Sequence, residues 1–548
     1  MGAEGEAGAQ ARLRREVARR RTFAIISHPD AGKTTLTEQL LLRAGAIETA
    51  GMVRASKASR ATTSDWLAVE RERGISVTSS AMQVPYGDAL LTILDTPGHD
   101  DFAEDTYRAL MAVDSAVMVI DAAKGVEAQT RELFAVCRRR GIPLLTFVNK
   151  LDLPALEPLD VVAHVEEALG IAAAPMSWPV GSGRSLRGVV DLATDELVVF
   201  ERTDQAAAAA GTGLRSFRRV PRRGPEAAAL LDPAARAQLE GELELLAGAG
   251  NGFDPAAFAR GALTPVYFGA ALGGFGVGEF FDAFVGLAPP PPPRLALGPA
   301  APGAEGRGAV EVDPLDPAFS AFVFKLQANM NPRHRDAVAF LRVCSGRFEV
   351  GMPVRHHRLG KTIRLTRPYA TLARERTEVE EAFPGDVLAI VNPGTFAIGD
   401  TVSAAGGFDF PPLPQLPPKL LGAIRPRDAG GRKAFDRGLE HLVLEGTVLG
   451  LELLPSRERR VAAVGRLQLE VLQHRLRQEY GVETTLEVEP YARSAWFRGP
   501  AAALRHTASA VAVDARGNQL AFFQTAFDLR CAERLEEVTL LEGPDAAR

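Results

Sequence analysis

The sequence predicts a multidomain protein with three folded modules in order: an α/β module built on a parallel sheet, an antiparallel β-barrel and a C-terminal α+β module. Apolar strand patterns alternate with helix patterns as far as about residue 288, which is typical of a parallel sheet with covering helices. Beyond about residue 308 the apolar period changes to two, as in antiparallel strands. Proline-rich spacers at 289–293 and 411–418 separate the modules.

A loop between a predicted strand and a predicted helix in the first module carries the clearest chemical signal. The apolar run Phe23 to Ile26 precedes it, and a helix-like run from Leu36 follows it. Strand, tight loop ending in Gly-Lys-Thr and helix is the arrangement of a phosphate-binding P-loop, whose backbone N–H groups face the phosphates. The predicted nucleotide-binding residues of this loop are Ser27, His28, Pro29, Asp30, Ala31, Gly32, Lys33 and Thr34. Its first position departs from the usual pattern, because Ser27 stands where glycine is expected.

Within this loop Lys33 is expected to neutralise the β/γ-phosphate oxygens, and the Thr34 hydroxyl to hold Mg²⁺. Asp30 has two interpretations: it helps to hold a monovalent cation near the phosphates, or it shapes the turn. His28 is expected to be part of the loop structure.

Two further motifs end predicted strands of the same module. A buried strand pattern from Leu90 to Leu94 runs into Asp95, Thr96, Pro97, Gly98 and His99. An acid at a strand end beside the P-loop suits an outer-sphere role for Asp95 at Mg²⁺, and the Gly98 N–H is placed to sense the γ-phosphate. A second strand pattern runs into Asn149, Lys150, Leu151 and Asp152.

This second motif predicts the base. A carboxylate at Asp152 can accept hydrogen bonds from N1–H and the 2-amino group of guanine, whereas adenine offers neither donor and would leave the acid unpaired. The predicted fold class is therefore an α/β P-loop GTPase domain followed by the barrel and the α+β domain, and the predicted cofactors are GTP or GDP and Mg²⁺.

The domain boundaries follow from the same patterns. The Pro- and Gly-rich stretch and the helix-like run after about residue 180 interrupt the α/β alternation, which returns with Thr264 to Phe268. The barrel interpretation rests on strands such as that in which Phe322 and Phe324 alternate with Ala321 and Val323. The predicted segments are an N-terminal extension 1–20, partly helical; a GTPase domain 21–288 with an insertion at about 180–262; a linker 289–308; a barrel 309–410; a linker 411–418; and an α+β domain 419–548.

The composition of the chain argues against several kinds of site and of cellular location. The chain has 548 residues, a net charge of −5 and three widely spaced cysteines, so neither a disulfide framework nor a basic nucleic-acid-binding coat is predicted. It has no run of eighteen apolar residues, and membrane attachment is not expected. We expect a cytoplasmic protein. The basic segment Arg355 to Arg376, with His356 and His357, is either a solvated barrel face or a contact to ribosomal RNA.

The assembled motifs resemble the bacterial peptide chain release factor 3 family within the translational GTPase superfamily. The resemblance extends from about residue 16 to the C-terminal helix. It is carried by five segments: Phe23 to Thr35, Ser64-Asp65-Trp66, Arg73-Gly74-Ile75-Ser76, Asp105-Thr106-Tyr107-Arg108 and Phe324 to Met330. Ser27 in place of glycine is a feature of this family. Two positions depart from the pattern: Asp100, where the family often has glutamate, and Ala270, where related proteins have serine or threonine.

The resemblance implies roles for further residues. His99 is expected to be the catalytic residue that positions the attacking water, as glutamine does in Ras-like proteins. Ser76 is expected to ligate Mg²⁺ together with Thr34, and the Ala271 N–H to meet guanine O6. No arginine finger is recognisable in the sequence, so hydrolysis is expected to be slow until a partner stimulates it.

The resemblance further implies the function and the partners. We expect a monomeric GTPase of translation termination that binds the ribosome, contacts ribosomal RNA and ejects class-I peptide release factors after peptide release. Two alternatives stay open at this point: another ribosome-acting GTPase, either translocase-like or a rescue factor, and a regulatory GTP switch without a ribosomal role.

Overall fold

The structure is a computed structural model that describes residues 3–46, 80–97, 101, 103–200, 217–299, 307–327, 337–366, 368–372, 375–413, 415–541 and 543. The chain forms two compact units. The first comprises Met1–His99, Ala112–Pro292 and Ala370–Thr377, and the second comprises Asp100–Met111, Pro293–Tyr369 and Glu378–Arg548. Within the described ranges, none of the helices combines the length and the apolar character that a bilayer crossing requires.

The α-helices are numbered in chain order. They are α1 Ala3–Arg19, α2 Lys33–Arg43, α3 Ala103–Met111, α4 Ala128–Arg139, α5 Pro158–Leu169, α6 Pro225–Leu230, α7 Pro233–Ala249, α8 Pro255–Ala259, α9 Val277–Leu287, α10 Arg432–Leu444, α11 Arg466–Tyr480 and α12 Ala526–Ala532.

The strands are numbered in the same way. Those before Pro292 are β1 Arg20–Ser27, β2 Ser80–Tyr86, β3 Ala89–Asp95, β4 Ser115–Asp121, β5 Leu144–Asn149, β6 Ala172–Pro175, β7 Ser177–Val180, β8 Gly188–Asp191, β9 Glu196–Phe200, β10 Phe217–Pro221 and β11 Leu263–Phe268. Those of the barrel region are β12 Arg294–Leu297, β13 Ala309–Val312, β14 Ser320–Gln327, β15 Ala337–Ser345, β16 Phe348–Glu349, β17 Pro353–His356, β18 Lys361–Arg364, β19 Pro368–Leu372, β20 Glu375–Glu378, β21 Glu381–Ala382, β22 Val387–Asn392 and β23 Thr401–Ser403. The C-terminal strands are β24 Leu420–Pro426, β25 Leu449–Leu454, β26 Arg459–Ala463, β27 Thr484–Pro490, β28 Arg493–Arg498, β29 Ala510–Asp514, β30 Gln519–Phe523 and β31 Thr539–Leu541.

A seven-stranded sheet organises the first unit. Its strand order is β2-β3-β1-β4-β5-β11-β6, with β2 antiparallel and the pairs β1–β3, β1–β4, β4–β5, β5–β11 and β6–β11 parallel. The interior strand β1 is buried on both faces, and its apolar residues Phe23 to Ile26 are fully inaccessible. Continuous apolar strands of this kind belong in parallel sheets covered by helices on both sides. The carboxyl ends of β1, β3, β4 and β5 therefore lie at one edge of the sheet.

The segment between β6 and β11 leaves this sheet. Strands β7 to β10 form a separate antiparallel sheet in the order β10-β9-β8-β7, and α6, α7 and α8 follow it. The fully buried Trp178 donates from its indole N–H to Glu242 of α7 at 2.7 Å. Helix α1 precedes β1, and its Leu13 and Val17 are buried, so apolar packing holds this N-terminal helix.

The barrel sheet of the second unit has the order β18-β17-β23-β14-β15-β22-β19-β20. A register shift between Val323 and Lys325 interrupts the alternation of β14. Ala321, Val323 and Leu326 consequently pack in one core. Strict alternation predicts that the Leu326 and Val323 side chains point to opposite faces of the sheet. That prediction is wrong, because the register shift moves every residue after it to the other face.

The C-terminal part of the second unit combines a sheet with helices. Its eight strands follow the order β27-β24-β26-β25-β29-β30-β28-β31. Helix α11 buries Leu469, Leu472 and Leu476, and Gly481 ends it in the left-handed conformation, with φ of 69°. The apolar spacing from Leu467 to Tyr480, followed by Gly481, predicts a helix that stops at this glycine, and the structure has both.

Candidate nucleotide-binding site

The P-loop connects the carboxyl end of β1 to α2. Ser27 is buried, and its hydroxyl donates to the His28 carbonyl at 2.9 Å. Ser27 is not among the residues with positive φ, so its backbone does not need the freedom of glycine. Asp30, in contrast, has φ of 63° and lies in the left-handed region. Its backbone conformation therefore shapes the turn, which is one of its two predicted roles.

Gly32 is required by conformation and by space. Its φ is 98°, and a Cβ at this position would overlap the side-chain amide nitrogen of Asn149. Helix α2 begins at Lys33, so its first N–H groups lie at this turn, the end of a helix at which anions bind. Lys33 is 6% exposed at this helix start, and Thr34 is partly exposed beside it.

Asp95 ends β3 next to the base of the P-loop. The β1–β3 register pairs it with Ile25, and the following Thr96 donates from its hydroxyl to the Ile25 carbonyl at 2.7 Å. Asp95 is buried, which is costly for a carboxylate unless it has charged or hydrogen-bonding neighbours. Pro97 is buried beside it, while Gly98, His99 and Ser76 lie outside the described residues.

Asn149 joins two loops of the site. Its side-chain amide donates to the Ala31 carbonyl of the P-loop at 2.8 Å. Its side-chain carbonyl accepts from the Ala271 N–H, also at 2.8 Å. Since Asn149 is buried and comes at the end of β5, it fixes the distance between the P-loop and the loop after β11.

The Ala271 N–H is thus already donated to Asn149. Ala270 and Ala271 begin the short loop after β11, and Ala271 opens a 3-10 turn from Ala271 to Gly273. For this amide to reach guanine O6, as the resemblance implies, it must exchange or share that hydrogen bond. Leu272, next in the turn, is half exposed.

Lys150 and Asp152 take different positions after β5. The Lys150 ammonium donates to Asp121 Oδ2 at 2.8 Å, and its backbone has φ of 70°. Burial alone raises the pKa of the Asp121 carboxyl, but hydrogen bonds from Lys150 and the Ala123 N–H outweigh burial, so the pKa is lowered overall. Leu151 is buried, whereas the Asp152 side chain is partly exposed and accessible to a ligand.

Two residues of this region were not predicted from the sequence. Asp121 closes β4 and anchors Lys150, and Glu127 lies 3.1 Å from the P-loop residue His28. A strand ending in an acid was a detectable signal for Asp121. Glu127 follows a turn and carries no spacing signal, so only the folded chain reveals its contact.

The barrel histidines are tied to acidic partners within the second unit. His356 is fully buried, and its Nε2 lies 3.0 Å from Asp400. His357 contacts Asp409 and Ser403 at 2.9 and 2.8 Å. Burial raises the pKa of Asp400, but hydrogen bonds from Arg358 and His356 lower it overall. The prediction of a solvated face or an RNA contact is therefore wrong for the His356 side chain, which is enclosed.

Three family models match successive parts of the chain. "Elongation factor Tu GTP binding domain" matches residues 18–290, "Elongation factor G domain 2" matches 318–405, and "Class II release factor RF3, C-terminal domain" matches 410–533. Among curated relatives, peptide chain release factor 3 of Symbiobacterium thermophilum is 49% identical over 489 residues, which cover 88% of this chain and 89% of the relative. The protein of the same name from Synechocystis sp. is 48% identical, with 88% and 86% covered.

The chain belongs to the peptide chain release factor 3 family. This confirms the resemblance inferred from the motifs. As a family member it is a GTPase of translation termination that binds guanine nucleotide.

The structure comparison bears on the fold. A crystal structure of a protein from Thermus thermophilus aligns with a TM-score of 0.67 at 23% identity, covering 88% of this chain and 71% of that one. Together with the three family models, it confirms the predicted fold class of P-loop GTPase domain, β-barrel and α+β domain. The family membership excludes the regulatory switch without a role in translation as the identity of the chain.

Proposed function

We propose that this release factor 3 family member binds the ribosome and uses GTP to promote the dissociation of class-I peptide release factors after peptide release. The observation that carries the proposal is the match over residues 410–533 to the release-factor C-terminal model. The GTPase and barrel modules are shared with other translational GTPases, so the C-terminal module separates termination from elongation.

The proposed nucleotide site consists of the residues predicted from the sequence. The P-loop residues 27–34 and the α2 N-terminus would hold the phosphates, and Asp152 would accept from the guanine base. Ala271 belongs to the site through its loop, which Asn149 ties to the P-loop. Gly98 and His99 are proposed for the γ-phosphate and for the attacking water.

The residues at the P-loop fit a Mg²⁺ ion. Asp95 is a buried acid that lies in register with the end of β1, and Thr34 brings a hydroxyl to the first turn of α2. Oxygen donors of this kind are the ligands that Mg²⁺ prefers. Thr34 and Ser76 would hold the ion directly, and Asp95 through water. When bound, the ion neutralises phosphate charge.

The proposal also covers the binding partners of the protein and its location in the cell. The exposed Arg355 and Lys361 on β17 and β18 are suited to contacts with ribosomal RNA phosphates. A monomer acting in the cytoplasm agrees with a translation factor of this family. The proposed domain boundaries are those predicted from the sequence: 21–288 with the insertion at about 180–262, 309–410 and 419–548, joined by the two linkers.

The decisive experiment follows a labelled class-I release factor on post-release ribosomes. We expect faster dissociation with this protein and GTP than with GDP or without nucleotide. Lys33→Ala, which removes the proposed phosphate charge, is expected to abolish the acceleration, while Lys433→Ala on α10 is the matched control. GTP-dependent movement of tRNA and messenger without factor release would instead identify a translocase-like activity.

A further inference from the structure

Glu127 directly precedes α4 and contacts the P-loop across the edge of the sheet. We propose that Glu127 is a positioning residue for the P-loop: its carboxylate holds His28 and thereby slows the release of bound guanine nucleotide. This inference rests on the proposed nucleotide site, and it adds to that site a residue that makes no contact with the nucleotide in the proposed arrangement.

The contact itself is direct. His28 Nε2 lies 3.1 Å from Glu127 Oε2, with the two side chains 34% and 25% exposed. Glu127 occupies the N-cap position of α4, but its side chain makes no capping hydrogen bond to its own helix. Its carboxylate is therefore directed to the P-loop, although side chains at N-cap positions ordinarily accept from the first turn.

Glu127 stands on a well-fixed turn. The N–H groups of Lys124 and Gly125 donate to the Asp121 carbonyl at 3.0 and 2.9 Å, and the Asp121 carboxylate accepts from the Ala123 N–H. Gly125 has φ of 69°, and a Cβ there would overlap the His164 ring. These contacts fix the backbone conformation of the turn and therefore the position of Glu127.

The P-loop side is held less firmly. Asp30 takes the left-handed conformation without being glycine, which costs free energy. The hydrogen bond from the Ala31 N–H to the His28 carbonyl is long, at 3.3 Å. His28 Nδ1 is buried and has no hydrogen-bond partner among the described residues, so the contact to Glu127 orients the ring. The Ser27 hydroxyl holds the His28 carbonyl, and the contact with Glu127, from outside the loop, holds the His28 side chain.

The turn that carries Glu127 also anchors the guanine motif. Asp121 at the start of the turn accepts from Lys150, and Glu127 at its end contacts His28. The base-recognition segment and the phosphate-binding loop are thus attached to the two ends of one turn. Loss of the Glu127 contact would loosen the His28 end of the P-loop, while Asn149 would keep the Ala31 end attached to the guanine motif.

The test measures nucleotide release from the full chain without ribosomes. A fluorescent GDP derivative is bound and then chased with excess GDP in a stopped-flow instrument. Glu127→Gln, His28→Gln and the double variant are compared with wild type. The matched control is Glu132→Gln, an exposed glutamate on the same helix. A single polar contact between partly exposed side chains contributes little free energy, so we expect release to accelerate about two- to tenfold in each single variant.

The double variant distinguishes a pair from two separate effects. If Glu127 acts through His28, the double variant releases GDP no faster than the faster single variant. Additive acceleration, or unchanged release in Glu127→Gln, would overturn the proposal. So would a lowered melting temperature of nucleotide-free Glu127→Gln, because the contact would then support the fold rather than the loop. Failure of the wild type to bind GDP would instead contradict the proposed nucleotide site.

Discussion

The Asp101 carboxylate accepts a hydrogen bond from the backbone N–H of Leu467 at 2.6 Å. Leu467 lies in the first turn of α11, where N–H groups have no partner within the helix. Gly465 lies so close that a Cβ there would overlap Asp101. Within the second unit, the segment that follows His99 is therefore joined to the C-terminal module.

The same segment also contacts the barrel. Asp105 of α3 lies 3.8 Å from the Lys325 ammonium of β14, and Lys325 is buried. Within the second unit, the segment 101–111 is therefore tied both to the barrel and to α11.

Breaking the Asp101 cap is expected to destabilise the second unit. Asp101→Ala removes an N-terminal cap, a change that costs about 0.5–2 kcal/mol. Gly465→Ala is expected to have a comparable or larger effect because its Cβ displaces the carboxylate. Denaturant unfolding measures both, with the exposed Glu487→Ala as control. Wild-type stability in both variants would show that the cap is unimportant.

Asp152→Asn is expected to change base preference from guanine to xanthine. The amide loses the double acceptor that guanine requires and gains a donor that suits the 2-oxo group of xanthine. Isothermal titration with GDP and XDP measures the change, and Asp160→Asn on α5 is the control, since Asp160 is exposed. Retained preference for GDP would remove Asp152 from the site.

Asn149→Ala is expected to lower both stability and nucleotide affinity. The substitution leaves the Ala31 carbonyl and the Ala271 N–H without a buried partner, at about 1–3 kcal/mol for each group. Urea unfolding and GDP titration report the two effects. The exposed Asn251→Ala serves as control and is expected to change stability by less than about 0.5 kcal/mol. An equal effect of both variants would contradict the bridging role.

His99→Ala is expected to slow GTP hydrolysis without weakening GTP binding. GTP affinity should stay near that of wild type, while ribosome-stimulated hydrolysis falls by roughly two orders of magnitude, the scale of a lost positioning group. Single-turnover hydrolysis on ribosomes tests this, with the exposed His506→Ala for comparison. Normal hydrolysis would mean that His99 has a structural role.

The buried Glu445 carboxyl is expected to make the free energy of unfolding depend on pH. Burial raises the pKa of its carboxyl from 4.5 to about 6, although Arg475 opposes the shift. Because the folded-state pKa is raised, the stabilising contribution is complete below about pH 4.5 and is lost as pH rises through about 6. The stability of Glu445→Gln relative to wild type should therefore rise with pH over this range, by up to about 2 kcal/mol, on top of a pH-independent cost for losing the buried Arg475 pair. Unfolding curves at about pH 4.5 and about pH 7 measure it, and Glu452→Gln, at a partly exposed position, should show no such change.

Much of the nucleotide site could be predicted because its residues occur in short contiguous motifs. The Gly-Lys-Thr turn and the segment Asn149 to Asp152 lie at strand ends, and apolar strands before them make those ends recognisable. Backbone geometry alone then brings the ends of neighbouring parallel strands together. The change of apolar period similarly predicted the order of the modules.

The contacts that fix the geometry of the site were decided by the tertiary structure. Asn149 reaches Ala31 across 118 residues of sequence, and Asp101 reaches Leu467 across 366. No local period or spacing relates such positions, since their distance depends on how whole elements pack. The irregularity in β14 had the same origin, because strand pairing sets the register of that strand. Short local motifs therefore specify which chemistry the chain carries, whereas packing specifies which side chains hold that chemistry in place.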